Sequence, residues 1–253
     1  MADKWFNEKM DTKKLRSYTK TRIDPDPFQK LSKVSRQYSV TTWLIIINII
    51  TFIIAFLLRE IFGEEILQYI AIQPNLFFSG YVWTLITSMF MHAGLGHLFL
   101  NLITLFFIGN FVEKLIGRKR YFWLYLISGI VAGLFFVFLA FYFGSTNLES
   151  FAYRIFGSPG MFAVGASGAI FALVGILAVL APKIKFLIFF IIPMRAWFFA
   201  TFFFIFFWMI SASANWPIAN TAHLGGLLAG ALYAFYLKKR YRKKTAMIQK
   251  YFS

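Results

Sequence analysis

The side chains best suited to chemistry are three histidines, a serine and an asparagine that fall within long apolar stretches. The chain has just three histidines, His92, His97 and His223, and all of them lie in or beside such stretches, whereas the long charged ends have none. Polar groups inside a membrane are costly and indicate a functional site. Together with Ser167 and Asn101, the histidines form the first candidate site.

A serine hydroxyl becomes a nucleophile when a base within hydrogen-bond reach takes its proton, and a neutral imidazole suits that role near neutral pH. His223 is the candidate base for Ser167. No Asp or Glu lies at the same depth, because Glu113 stands at the inner end of its span. The sequence therefore predicts a Ser–His dyad rather than a triad. Phe171, one helical turn after the serine, is the expected stacking surface for the imidazole.

A second pair, His97 and Asn101, is spaced to share one face of a helix. Their side-chain donors, with the backbone N–H of Ser167 at the start of a helix, could form an oxyanion hole. Judged on spacing alone, interhelical hydrogen bonding explains the pair equally well. A metal site built from the three histidines is a poor alternative, since no carboxylate or thiolate ligand lies nearby. No metal and no cofactor are expected.

The elements that must position these groups are membrane helices. The chain has 253 residues, 59% hydrophobic and 14% charged, whereas a soluble domain has about 25% charged residues. A soluble enzyme, a DNA-binding domain and a disordered chain are thereby excluded, and the absence of cysteine excludes disulfides, thiolate zinc sites and a cysteine nucleophile. Runs long enough to cross a bilayer predict six spans: Thr41–Leu58, Tyr81–Val112, Tyr121–Phe143, Val164–Ala181, Ala196–Ser211 and Ala219–Leu237.

Basic residues orient these spans. With six spans, 24 of the 26 Lys and Arg residues fall on one side, leaving only Arg59 and Arg154 for the other. The positive-inside rule then places both termini in the cytoplasm. We expect a basic tail at 1–40, a membrane domain at 41–237 and a basic tail at 238–253. Attraction of the tails to anionic lipid is preferred over nucleic-acid binding. The first run follows a charged segment and is not expected to be a cleavable signal peptide.

The connections differ in character. Arg59–Gly80 is expected to be a partly ordered excursion at the membrane interface, and Gly144–Ala163 a mobile loop. Phe186–Ile192 is expected along the membrane surface rather than in the fifth span. Ala212–Ile218 is a short uncharged connection.

Depth brings the candidate groups together. Counted from the inner boundary at 1.5 Å per residue, Ser167 and His223 lie at roughly 22 Å, and His97 and Asn101 at about 25 and 20 Å. In a core of about 30 Å these groups share one layer near the outer surface, which implies a water-filled cavity open to the outside. Small residues around the serine and the last histidine permit close helix packing: Gly165, Gly168, Gly225, Gly226 and Gly230.

Four segments together resemble the rhomboid intramembrane serine proteases, from about Thr41 to Leu237. They are His92-Ala-Gly-Leu-Gly-His97-Leu-Phe-Leu-Asn101, Gly165-Ala-Ser167-Gly168, Ala222-His223-Leu224-Gly225-Gly226, and Gly109-x-x-x-Glu113-x-x-x-Gly117-x-x-Arg120. Each motif is modest alone, but four in the right order on the right spans are specific. The resemblance implies an all-α, polytopic bundle of six transmembrane helices.

The resemblance also implies roles. Ser167 would be the nucleophile, His223 the general base, His97 and Asn101 the oxyanion donors, and His92 a supporting residue. Gly109, Glu113, Gly117 and Arg120 would tie the inner end of the second span to the following loop. Substrates would be single-span membrane proteins, cleaved in or near the outer part of the span. The fifth span and Ala212–Ile218 would move to admit them. The expected location is the cell membrane, and no oligomeric state is predicted.

Two positions depart from the family pattern. Many members have Trp-Arg in the first loop, where this chain reads Trp83-Thr84, so the anchoring of the loop is left open. Phe171 stands where a tyrosine is often found, which keeps the ring. Two other functions are weighed against the protease: a non-catalytic rhomboid-like binder, although such relatives typically lack the serine or the histidine, and a channel or transporter, although no carboxylate lies at mid-depth.

Overall fold

The computed structural model describes residues 38–188, 192–214 and 219–251. The predicted N-terminal tail lies outside the described residues, apart from its last positions, and so do residues 215–218 of the Ala212–Ile218 connection. From Val40 onward the chain forms one compact unit.

The described chain is mostly helical. Its helices are α1 (Val40–Phe62), α2 (Leu67–Ile70), α3 (Pro74–Phe78), α4 (Thr84–Thr87), α5 (Leu95–Thr104), α6 (Asn110–Ile116), α7 (Arg118–Phe143), α8 (Phe151–Phe156), α9 (Ser167–Leu180), α10 (Ala196–Ala214), α11 (Asn220–Arg240) and α12 (Arg242–Tyr251). Short 3-10 turns cover Gly63–Ile66 and Ser88–Phe90, and a π turn at Leu105–Gly109 joins α5 to α6. Strands β1 (Lys185–Ile188) and β2 (Ile192–Arg195) form an antiparallel hairpin.

Each of the six predicted apolar runs contains a long helix or a pair of joined helices. Among the described residues, three helical stretches are long and apolar enough to cross a membrane: Val40–Ile70, Leu95–Ile116 and Arg118–Phe143. α9 and the first part of α10 are shorter apolar helices. The structure thus agrees with a helical membrane protein, and the count of six spans and the side of the termini stay predictions.

α9 lies at the centre of the bundle. Ten consecutive residues, Gly168–Leu177, are buried, and α9 packs against both α7 and α11. A helix that is apolar all round is expected in such a buried position. The other helices therefore surround the element that begins with Ser167.

The second predicted run, Tyr81–Val112, is not one helix. α4 and a 3-10 turn end at Phe90, and α5 begins only at Leu95. The first part is held by side-chain hydrogen bonds to its neighbours: Trp83 Nε1 donates to the carbonyl of Tyr69 at 3.0 Å, and Thr51 Oγ1 donates to the carbonyl of Phe90 at 2.8 Å. These contacts replace the helical continuation that hydropathy alone predicts.

Three other regions contain regular structure that the sequence did not predict. The Gly144–Ala163 connection contains α8, whose first turn is capped by Ser150 Oγ accepting from the Tyr153 N–H at 3.1 Å. The segment expected along the membrane surface, Phe186–Ile192, includes strand residues of the hairpin; residues 189–191 lie outside the described residues, and the location at the surface stays a prediction. The basic C-terminal stretch is not an extended tail, because α11 continues to Arg240 and α12 follows it directly.

Candidate active site

The structure brings Ser167 and His223 into hydrogen-bond contact. Ser167 Oγ lies 2.8 Å from His223 Nε2. Ser167 is the first residue of α9, and His223 lies in the first turn of α11, where it is 8% exposed. The Phe171 ring stacks on the imidazole, with centroids 4.4 Å apart and planes 16° apart. Packing therefore fixes the orientation of the imidazole.

Close contact between α9 and α11 makes this pairing possible. A Cβ at Gly226 would overlap the carbonyl oxygen of Gly168, and a Cβ at Gly230 would overlap that of Ala172. Only glycine lets two backbones approach so closely. His223 lies one helical turn before Gly226, so the short distance between α9 and α11 also brings its side chain to the hydroxyl of Ser167.

The extended segment before Ser167 is held in place by backbone hydrogen bonds. Ala163 exchanges backbone hydrogen bonds with Ile72, at 2.8 and 3.1 Å, and the Gly165 N–H donates to the carbonyl of Ser88 at 2.8 Å. Gly165 has φ +131°, a conformation that favours glycine. Sequence reasoning missed the part played by Ser88, because a backbone carbonyl leaves no residue-type signal.

The His97 ring lies against Gly165. A Cβ at Gly165 would stand 2.9 Å from His97 Cε1, 3.0 Å from its Nε2 and 3.5 Å from Ser167 Oγ. The Ala93 N–H donates to His97 Nδ1 at 3.5 Å, which favours the tautomer with its proton on Nε2. The Nε2–H edge of His97 and the serine hydroxyl therefore share one corner of the site.

Asn101 and His92 support the same corner. Asn101 is buried, and its Nδ2 donates one hydrogen to the carbonyl of His97 at 2.9 Å, four residues earlier. The His92 ring is also buried and meets the His97 ring edge to face, with centroids 5.1 Å apart. The structure thus groups His92 and Asn101 with His97, whose ring lies against Gly165.

A cavity of about 40 Å³ lies beside Ser167, which is room for a few water molecules. Its walls come from the extended segment, from α7, from the starts of α9 and α11 and from the turn at Ser88 and Met89. The glycines and alanines that line it are Gly129, Ala132, Gly133, Ala163, Gly165, Gly168, Ala169, Ala219 and Ala222. The serine therefore faces space on one side and the imidazole on another.

Within the described part of the chain, no group of three or more His, Cys, Asp and Glu side chains could hold a metal ion. His223 Nδ1 is buried and has no hydrogen-bond partner among the described residues. Glu113, the acid of the second predicted span, is occupied elsewhere. The pair of Ser167 and His223 has no third, acidic member in the described structure.

Glu113 instead caps the start of α1. Its carboxylate accepts from the Val40 N–H at 2.8 Å and from the N–H and Oγ1 of Thr41 at 2.9 and 2.8 Å. A Cβ at Gly109 would stand 2.6 Å from the Tyr121 hydroxyl, and Gly117, at φ +85°, forms the junction between α6 and α7. This motif therefore ties α6 to α1 as well as to the following helix.

The last residue of that motif reaches α11. Arg120 donates to the Tyr241 hydroxyl at 2.9 Å, and its guanidinium lies over the Tyr241 ring at 5.2 Å. The expected tie to the loop after the second span is thus supplemented by a tie to the C-terminal end of the bundle.

The first loop is anchored without the arginine that many rhomboids have there. Thr84 is buried and donates to the Tyr81 carbonyl at 2.5 Å. Thr87 Oγ1 donates to the Ile70 carbonyl at 2.9 Å, in addition to the bond from Trp83 to Tyr69. Backbone carbonyls of the loop receive these donors, so the loop is held by short polar side chains and an indole.

Comparison with known proteins agrees with the motifs. A family model described as the Rhomboid domain matches residues 79–240. Rhomboid protein 1, mitochondrial, of Saccharomyces cerevisiae is 30% identical over 172 residues, covering 64% of this chain and 43% of that protein. Rhomboid protease GlpG of Salmonella paratyphi A is 25% identical over 226 residues, covering 86% of this chain and 70% of that protein.

A third relative is named as inactive. Inactive RHOMBOID-like protein 8 of Arabidopsis thaliana is 43% identical over 54 residues, covering 21% of this chain and 15% of that protein. The chain spans less than half the length of the yeast and Arabidopsis relatives. The matched region contains every residue of the four motifs.

Proposed function

The chain belongs to the rhomboid family, and from this membership together with the site geometry we propose that it is an intramembrane serine endopeptidase. Ser167 is the nucleophile and His223 the general base. The observation that carries the proposal is the 2.8 Å contact between Ser167 Oγ and His223 Nε2. Members of this family are typically intramembrane serine proteases, and some are inactive.

Acylation begins with the serine proton. The Ser167 hydroxyl donates to Nε2 of the neutral imidazole, whose own proton is on Nδ1. As Oγ attacks the carbonyl carbon of the scissile bond, the proton passes to Nε2 and the imidazole becomes positively charged. The stacked Phe171 ring holds the imidazole in line and faces the developing cation. This orientation does the work that a carboxylate does in a triad.

The oxyanion of the tetrahedral intermediate needs donors that are already aimed at it. The donors we propose are the His97 Nε2–H, whose ring lies against Gly165, the second hydrogen on Asn101 Nδ2 and the N–H of Ser167. Because Ser167 is the first residue of α9, its N–H has no acceptor within the helix. The positive end of the helix favours the same negative charge.

Collapse of the intermediate completes the cycle. The C–N bond breaks as the imidazolium returns its proton to the leaving amine, which departs and leaves an ester on Ser167. A water molecule from the cavity then attacks the ester carbonyl while His223 takes its proton. The ester C–O bond breaks, and the proton returns to Oγ. Nothing beyond water and the peptide bond is consumed.

The substrates we propose are single-span membrane proteins, cleaved in or near the outer part of their spans. The setting is a bundle of six spans with a membrane domain at 41–237, both termini in the cytoplasm and the site open to the opposite side of the cell membrane. The 24-to-2 division of basic residues supports this orientation. A tagged N-terminus that is protected from external protease in intact cells, with residue 146 accessible, is the expected result.

A fluorophosphonate probe tests the chemistry directly, because it labels serines that a base has activated. We expect labelling of the purified protein, loss of labelling in Ser167→Ala and in His223→Ala, and parallel loss of cleavage of a co-expressed single-span substrate. Ser128→Ala is the matched control: Ser128 is buried, but its hydroxyl bonds to the Tyr125 carbonyl on α7. Its labelling should equal that of the parent.

The same experiment distinguishes the second candidate function, a non-catalytic client binder, which the relative named as inactive brings into consideration. A binder would co-purify with membrane clients yet show no probe labelling at Ser167. Cleavage that persists in Ser167→Ala would contradict the assignment of Ser167 and His223 as the catalytic dyad.

A further inference from the structure

α12 (Arg242–Tyr251) presents two distinct faces. One face is docked on the bundle: Thr245 is 3% exposed, and Gln249 Nε2 donates to the Val179 carbonyl in the last turn of α9 at 3.1 Å. The opposite face is exposed. We call it the basic face, and it consists of Arg242, Lys243, Ala246, Met247 and Lys250.

The exposed residues form one continuous stripe. At about 100° per residue, positions 242, 243, 246, 247 and 250 fall within less than half a turn of the helix circumference. Three of the five side chains are cations, and Met247, at 58% exposed, lies among them. Cations flanking an apolar side chain are typical of helices that lie in a membrane interface.

The end of α11 sets the depth of this stripe. Phe235 and Tyr236 are 56% and 55% exposed, and they are followed within one turn by the exposed Lys239 and Arg240. Exposed aromatic residues followed by cations mark the boundary between hydrocarbon and headgroups. Because α12 begins two residues later, the basic face lies at headgroup level.

The positive charge around the basic face also favours an anionic ligand. No Asp or Glu follows Glu149 in the sequence, so every charged side chain of α12 is a cation. Arg120, near the start of α7, lies close enough to Lys244 for the two cations to influence each other, which adds positive charge beside α12. We propose that the basic face is a binding surface for the headgroups of anionic phospholipids, which fix α12 to the leaflet.

This surface depends on the bundle being embedded in a bilayer and not on its catalysis. Because the chain has no cysteine, a single Ala246→Cys substitution can carry an environment-sensitive fluorophore on the basic face. The labelled full chain is reconstituted in vesicles of phosphatidylcholine alone or with phosphatidylglycerol. We expect a blue shift with phosphatidylglycerol that high salt reverses. Thr146→Cys, an exposed position far along the chain from any cation cluster, should give no such shift.

Matched charge variants sharpen the test. Replacing Arg242, Lys243 and Lys250 by Gln should weaken docking on the order of 100-fold and abolish the shift. Replacing Lys119, Lys183 and Lys185, which are equally exposed, removes the same charge elsewhere and should leave the shift intact. The Ser167→Ala variant should behave like the parent, which separates this result from failure of the proposed protease.

Four outcomes would overturn the proposal. They are a shift of equal size in phosphatidylcholine alone, no shift in either lipid, a shift that survives the triple Gln variant, and a shift reproduced by inorganic phosphate without anionic lipid. Single-stranded RNA that binds through the same three cations, with no response to phosphatidylglycerol, would assign the surface to nucleic acid instead.

Discussion

Two helices flank the serine helix, and they contact it in opposite ways. α11 meets α9 backbone to backbone through Gly226 and Gly230. α10 joins the buried core through Ala196 and Ala200 near its first turns, while Phe202, Phe206 and Met209 further along are exposed. The first contact leaves no freedom in the distance between Ser167 and His223. The second leaves one side of α10 free of the core, and this is the helix expected to move when substrate enters.

The largest effect is expected from Gly226→Ala. The new Cβ overlaps the Gly168 carbonyl, a backbone atom that cannot rotate away, so α9 and α11 must separate. We expect a loss of about 3 kcal/mol or more in the free energy of unfolding, together with loss of probe labelling. Thermal unfolding in detergent measures the first. Gly96→Ala is the control, since its Cβ meets nothing within 4 Å; equal damage in both variants would refute the close-contact argument.

Glu113→Gln tests the inner end of the bundle, away from the chemistry. The amide cannot accept all three hydrogen bonds from Val40 and Thr41, so we expect a loss of about 1–3 kcal/mol. Probe labelling per folded molecule should be unchanged. Glu64→Gln removes an exposed ion pair with Arg59 and should cost no more than about 1 kcal/mol. Abolished labelling in folded Glu113→Gln would place the carboxylate in the chemistry after all.

Phe171→Ala removes the ring that orients the imidazole but leaves both members of the dyad. Stacked pairs contribute about 0.5–1.5 kcal/mol, so we expect the rate of probe labelling to fall up to roughly tenfold. Phe171→Tyr keeps the stack and should label at nearly the parent rate. If both variants label alike at a reduced rate, the ring acts through something other than stacking.

The smallest effect is expected on α10. Phe202 stacks on Phe198 and Phe206 along the exposed side of the helix, and Phe202→Ala should change the free energy of unfolding by less than about 0.5 kcal/mol. Ala200→Leu in the same helix inserts bulk where the side chain is 4% exposed and should cost about 1–3 kcal/mol. Reversal of this order would mean that α10 is held along its whole length.

The sequence predicted the surroundings of Ser167 better than the rest of the bundle. Ser167 and His223 could be paired because they lie at the same distance along the chain from Pro182 and Lys238, which mark the ends of the two apolar runs. The glycines near both residues also indicated a close helix contact. The ring of Phe171 followed from helical spacing. Family resemblance supplied the order of the motifs, which spacing alone could not.

The break before Leu95, the helix α12 and the partners of Glu113 could not be predicted in the same way. Each depends on a contact between distant parts of the chain. Glu113 accepts hydrogen bonds from Val40 and Thr41, which precede it by 73 and 72 positions, and Gln249 donates to the carbonyl of Val179, which precedes it by 70 positions. Hydropathy and local spacing carry no information on such pairs. A basic stretch also has the same composition whether it is an extended tail or a docked helix.

The length of α9 has a consequence for any change made inside it. Its 14 residues start at Ser167, the proposed nucleophile, and end beside the docked α12, so the length of the helix sets how far the hydroxyl lies from that end. One residue inserted in its middle would raise the hydroxyl by about 1.5 Å and swing it about 100° around the axis, away from the imidazole. An insertion or deletion within this helix is therefore expected to separate the Ser167 hydroxyl from the His223 imidazole, even at positions that tolerate substitution.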